Sequence, residues 1–129
     1  IYPGMAAMAT KGDLVTLVNG VGSPIGLFGV YIGGDGIDEV LESGVNACPV
    51  WVLNNDAEFE VLAPAFDSTL SWVDAADGVT QLVYAQTAGL TRGKLVPAGT
   101  AGASAVPVAR LIRVDGATKI VVGGLFGNS

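Results

Sequence analysis

Four groups of residues have types or spacings that could do chemistry. In VNGVGSPIGLFGV, residues 18–30, glycines 20, 22, 26 and 29 are dense enough to raise the question of a phosphate-binding loop. Such loops follow a strand, space their glycines G-x-G-x-x-G and open a helix whose N-terminal N–H groups face the anion. Here the third glycine falls one position late, no Walker-type Gly-Lys-Ser/Thr follows, and PIGLFGVYI reads as a strand. The stretch is therefore read as the bend of a hairpin between residues 14–18 and 25–32. Asp67-Ser68-Thr69 lacks the glycine of an aspartic-protease loop and has no second copy. Asp35, Asp38, Glu39 and Glu42 fall at helical spacing but without the oxygen-ligand loop of a calcium site, so they read as a solvated face. Cys48 is the only cysteine and histidine is absent, which removes Ser-His-Asp and Cys-His catalysis and the usual zinc ligand sets. Cys48 then reads as a small buried hydrophobe. The expectation is a chain with no catalytic residue, no metal and no cofactor, which is not an enzyme.

What remains is binding, and the charge pattern limits the partner. Twelve acids against six cations give a net charge of -6 and a pI near 4.2. Nucleic acid requires clustered cations and is not expected as a partner. Lys11 is the only cation before residue 91, whereas Arg92, Lys94, Arg110, Arg113 and Lys119 follow with Asp115 as the only acid among them. These cations are expected to meet acidic loops of their own chain or of a neighbouring subunit, or else to dock an acidic protein surface. Half of the residues are hydrophobic and mean hydropathy is +0.55, so surplus apolar surface is expected to face another protein. A membrane is not expected, because the uncharged residues 14–34 contain Asn19, Ser23, Pro24 and six glycines. No signal peptide is visible from Ile1 onward.

The elements that must position these groups are short and β-forming. Runs rich in Val, Ile, Leu, Tyr and Phe alternate with Gly, Pro, Asn and Asp, predicting strands at 5–8, 14–18, 25–32, 50–53, 58–62, 79–86, 106–114 and 119–122. Tight reversals are expected at Lys11-Gly12-Asp13, Asn54-Asn55-Asp56, Asp77-Gly78 and Asp115-Gly116. One short helix is predicted within 35–44, capped by Asp35 and stopped by Gly44. Thr10-Lys11-Gly12-Asp13-Leu14-Val15 and Thr91-Arg92-Gly93-Lys94-Leu95-Val96 echo one another and read as one hairpin device used twice. At 129 residues the chain is read as a single β-rich domain, 1–129, of barrel-like or sandwich-like antiparallel strands. Phe66 and Trp72 sit where strand patterning is weakest and are candidate subunit-interface anchors, together with the cations Arg110 and Arg113. The leading residues 1–5 are a candidate extended arm laid on a partner, with Ile1, Tyr2, Pro3 and Met5 as contacts.

PGMAAMATKGDLVTLVNGVGSPIGLFGVYI combines a proline-led apolar strand, a Lys/Gly/Asp turn, a strand ending in a Gly-rich loop and a P-I-G-L strand. With the VWVLNNDAEFEVL hairpin, it resembles the lambda-type head decoration proteins of tailed bacteriophages. The resemblance covers the first half of the chain; LTRGKLVPAGTAGASAVPVARLIRV does not match that family closely. It implies a β-rich fold with a small helix and a homotrimer seated on the outer surface of the virion capsid. The protein would be made in the host cytoplasm, bind the major capsid protein through the N-terminal segment and stabilise the shell by bridging capsid subunits. A tail or baseplate component is the alternative structural reading. A third is an acidic β-rich trimeric enzyme: Gly36-Ile37-Asp38 is similar to a substrate-binding motif of trimeric dUTP hydrolases, but the aromatic expected three residues later is Leu41.

Overall fold

The structure, a computed structural model of the chain, describes residues 4–9, 15–17, 26–28, 50–51, 58–74 and 78–125. The predicted helix within 35–44, Cys48 and the turns at 11–13 and 54–56 lie outside these residues. Among the described residues there are nine strands: β1 (Ala6–Ala9), β2 (Val15–Leu17), β3 (Gly26–Phe28), β4 (Val50–Trp51), β5 (Glu58–Leu62), β6 (Leu82–Ala85), β7 (Leu95–Pro97), β8 (Ala109–Val114) and β9 (Lys119–Gly123). Among the described residues the helical content is one 3-10 turn, Gly89–Thr91.

The strands form two sheets, a four-stranded one ordered β2-β1-β3-β4 and a five-stranded one ordered β5-β9-β8-β6-β7, with every strand pair antiparallel. Neither sheet closes into a barrel, and the architecture is mainly β. The four-stranded order corrects one expectation. β2 and β3 do not pair as a hairpin; β1 lies between them, with Ala7 opposite Leu17 on one side and Gly26 on the other. The physical reason is that β1 is apolar on both faces. Ala6 and Ala7 are wholly buried and Met8 is buried, which suits the middle of a sheet and not its edge.

One core joins the two sheets. Met5, Ala6, Ala7, Met8 and Leu27 from the smaller sheet cluster with Val61, Val83, Ala85, Leu95, Ala109, Leu111, Ile120 and Val122, the inward-facing residues of the larger. Small side chains permit close approach: the Ala6 N–H donates to the Gly93 carbonyl at 2.8 Å. Gly4, at φ +97°, lies so near β5 that a Cβ there would meet Val61 Cγ1 at 2.8 Å.

The predicted strand 58–62 is β5, with alternating exposure that puts Val61 inside and Glu58, Glu60 and Leu62 outside. β8 and β9 are joined through the predicted Asp115-Gly116 turn, with Gly116 at φ +79° and Asp115 N–H donating to the Lys119 carbonyl at 2.9 Å. A bulge between Leu111 and Arg113 re-aims the end of β8. β7 is an additional strand, which sequence periodicity did not show.

Candidate functional site

Two surfaces carry the residues singled out above. The first is built on the segment after β5. The Ala65 carbonyl accepts from the Leu95 N–H at 3.0 Å, and the Asp67 N–H donates to the Leu95 carbonyl at 3.0 Å, so Phe66 is bridged in parallel to the outer edge of β7. This fixes Phe66 in the core at 2% exposure. The chain then turns through Asp67, whose Oδ1 accepts from the Thr69 N–H at 3.0 Å and from the Thr69 hydroxyl. That turn brings Trp72 back over Phe66. Their ring centroids are 5.6 Å apart at 89°, and the indole N–H donates to the Asp67 carbonyl at 2.8 Å. Edge-to-face packing and a satisfied indole together hold Trp72 half-buried in one orientation.

Beside Trp72 a cleft of about 470 Å³ opens, lined among others by Val73, Thr80, Val83, Pro97 and Leu111. Val73, 62% exposed, is an apolar residue at its edge, and Ser71, Thr80, Gln81 and Tyr84 add polar groups to the lining. The sequence marked Trp72 but not Pro97 or Leu111. Their convergence depends on the pairing of β6 with both β7 and β8, which is long-range information.

The second surface is the outward face of the five-stranded sheet. Register places Glu60, Val121 and Arg113 in one row and Glu58, Gly123, Arg110 and Leu82 in another. Arg113 Nη1 lies 3.9 Å from Glu58 Oε1, and its Nε lies 3.2 Å from Asp115 Oδ2. Lys119 Nζ lies 3.7 Å from Glu60 Oε1 and 3.8 Å from Asp115 Oδ2. The cations Arg113 and Lys119 thus meet acids of their own chain, one of the two outcomes expected for them. Each pair is substantially solvent-exposed and contributes little by itself. Val121, on this outward face between Glu60 and Arg113, is nonetheless only 1% exposed, and long side chains paired beside it in register have aliphatic stems of the kind that cover such a residue. Glu58 and Glu60 were not singled out beforehand, although their i, i+2 spacing in EFEVL is the signal for one strand face.

Arg110 differs from its neighbours. Among the described residues its Nε is buried without an acceptor, and it enters none of the ion pairs of this face. The remaining candidates separate by position. Met5 is buried in the core at 5% exposure, whereas Ile1, Tyr2 and Pro3 lie outside the described residues. The structure brings Phe66 to Trp72; Arg110 and Arg113 share β8 on the other surface.

Among the described residues no group of three or more Asp, Glu, Cys or His is placed to hold a metal ion. No helix among them is long and apolar enough to cross a membrane. The arrangement offers surfaces for contact: a cleft of mixed lining with a fixed indole, and a charged sheet face. Compared with known proteins, residues 1–125 match the family model described as phage cement protein. No curated protein and no solved structure matches.

Proposed function

The chain belongs to the phage cement protein family, and from that premise we propose that it binds the outer surface of the capsid and stabilises the shell by bridging capsid subunits as a homotrimer. Membership makes it a structural protein of the virion; the family match over residues 1–125 is the observation that carries the reading. A bridging protein works by binding alone. Packed DNA pushes a shell outward, and a molecule that holds two neighbouring subunits adds its own binding free energy to the cost of separating them. Three copies joined together engage several sites at once, so contacts that are weak singly combine through effective concentration.

Within this reading the leading residues Ile1, Tyr2 and Pro3 contact the major capsid protein. Gly4 and Met5 anchor them, held by Val61 and the core. The Trp72 side, backed by Phe66, is the apolar part of the contact between copies, and Arg110 and Arg113 belong to its charged part. Exposed Val73 at the cleft supports this, because apolar area of that kind is stabilised by coverage.

The experiment is addition of purified protein to expanded capsids that lack it, followed by sedimentation and a mass measurement of the free protein. Saturable binding with a trimer mass is expected, together with greater resistance of the shell to heat. A monomer that leaves capsids unbound would end the proposal.

A further inference from the structure

The hairpin of β6 and β7 carries a protruding tip at one end and a cleft at the other. Its strands pair Val83 with Pro97 and Ala85 with Leu95. Beyond Ala85 the ladder continues, with the Gln86 N–H donating to the Lys94 carbonyl at 3.0 Å and the Gly93 N–H to the Gln86 carbonyl at 2.8 Å. The chain then reverses through the 3-10 turn Gly89–Thr91, with Gly89 at φ +78° and the Arg92 N–H donating to the Gly89 carbonyl at 3.2 Å. The tip is also braced from the side. The Gly102 carbonyl accepts from the Thr87 N–H at 3.2 Å and from the Thr87 hydroxyl at 2.9 Å, and the Ala101 carbonyl accepts from the Gln86 side-chain amide at 3.0 Å. At the apex of this fixed turn Leu90 is 104% exposed, so its side chain stands wholly in solvent, flanked by exposed Ala88 and Gly89.

A single exposed leucine is ordinary on a protein surface, but this one has a complement on the same chain. The cleft beside Trp72 opens at the Leu82 and Pro97 end of the hairpin, where Leu82, Tyr84, Pro97 and Leu111 line it together with the indole. The described residues that line it carry no charge, and its volume of about 470 Å³ is large enough for a leucine side chain and the narrow turn behind it. The paired strands lie between tip and cleft, so a tip cannot enter the cleft of its own chain. We infer that Leu90, with Ala88 and Gly89 beside it, inserts into the Trp72 cleft of a second copy of this chain. The contact is head-to-tail, and its repetition around a closed ring leaves neither a tip nor a cleft unused. Because the turn is fixed before it binds, little conformational freedom is lost on insertion. The inference rests on the self-association proposed above and names the side chain that fills its apolar part.

The test uses the full chain, by sedimentation equilibrium with thermal unfolding alongside. Three variants are compared: Leu90→Asp, Leu90→Met, which keeps an apolar tip, and Ala98→Trp, which fills the cleft from an exposed position of its lining. The wild type and Leu90→Met should associate, whereas Leu90→Asp and Ala98→Trp should each associate more weakly by about tenfold or more. Dissociated Leu90→Asp should melt like the dissociated wild type, because a wholly exposed side chain supports no packing. An equimolar mixture of Leu90→Asp and Ala98→Trp should recover a two-chain species, since one supplies an intact cleft and the other an intact tip. Either variant associating as tightly as the wild type, or a mixture no more associated than its components, would overturn the insertion and leave self-association standing. A wild type that stays monomeric at every concentration would overturn self-association itself. Leu90→Asp that assembles normally yet fails to bind capsids would overturn the insertion by making the tip a capsid contact.

Discussion

Phe66 and Trp72 meet edge to face, their ring centroids 5.6 Å apart, with the deeper ring bridged to β7 and the shallower one forming a wall of the cleft. The buried partner determines where the half-exposed one stands. Removing Phe66 should therefore affect stability and surface together. Phe66→Ala is expected to lower the unfolding free energy by about 3–5 kcal/mol, as for other buried phenylalanines. Trp72→Phe, which keeps a ring but loses the hydrogen bond to the Asp67 carbonyl, should cost about 1 kcal/mol. Urea denaturation of both variants checks the order; equal losses would contradict it.

Gly4 and Gly116 share a positive φ but differ in surroundings. A Cβ at Gly116 meets open space, whereas one at Gly4 meets Val61 Cγ1 at 2.8 Å and Ala65 Cβ at 3.4 Å. Gly116→Ala should cost only the left-handed backbone penalty, about 1–2 kcal/mol. Gly4→Ala should cost that plus about 1–3 kcal/mol of overpacking. In the double variant with Val61→Ala the losses should fall short of additive, because the cavity receives the added methyl. Strict additivity in a double-mutant cycle would show that the two residues do not touch.

Ser104, in the connection between β7 and β8, is a buried polar residue at 7% exposure. Its hydroxyl accepts from the Ala85 N–H at 3.2 Å and donates to the Val106 carbonyl at 2.8 Å. Ser104→Ala should destabilise by about 1–3 kcal/mol, the penalty for stranding buried partners. Amide exchange at Ala85 should quicken in the same variant. Unchanged protection there would assign the effect elsewhere.

The ion pairs of the outward face should behave oppositely. Arg113→Met and Lys119→Met, which keep most of the stem over Val121, are expected to change stability by less than about 1 kcal/mol, with the difference shrinking further in high salt. Truncation to alanine should cost more than methionine at both positions, because the shielding of Val121 is lost. If methionine and alanine variants unfold alike, the charge and not the stem is what matters.

Much of the larger sheet was legible in its residues. EFEVL alternates cleanly and is β5 as predicted, and Asp115-Gly116 reverses the chain between β8 and β9. β7 was not legible, because three residues ending in proline carry too little period. Its one trace is the echo between 10–15 and 91–96, whose second copy runs into Leu95 as the first runs into Val15 of β2. Neighbour order in the smaller sheet was misread because chain adjacency favours hairpins. The all-apolar run of β1 argued for a central place instead. At the candidate site, Phe66 and Trp72 were visible as aromatics where strand patterning is weakest, and Arg110 as one of a group of late cations. The cleft floor and the missing acceptor of Arg110 were not, since both follow from which strands sit side by side.

β1 holds β2 on one edge and β3 on the other, and its leading end is tied to the second sheet by the Ala6 to Gly93 hydrogen bond and by Gly4 against Val61. Tension applied at residue 4 along the strand axis therefore loads both ladders in shear, so their hydrogen bonds must yield together and not one after another.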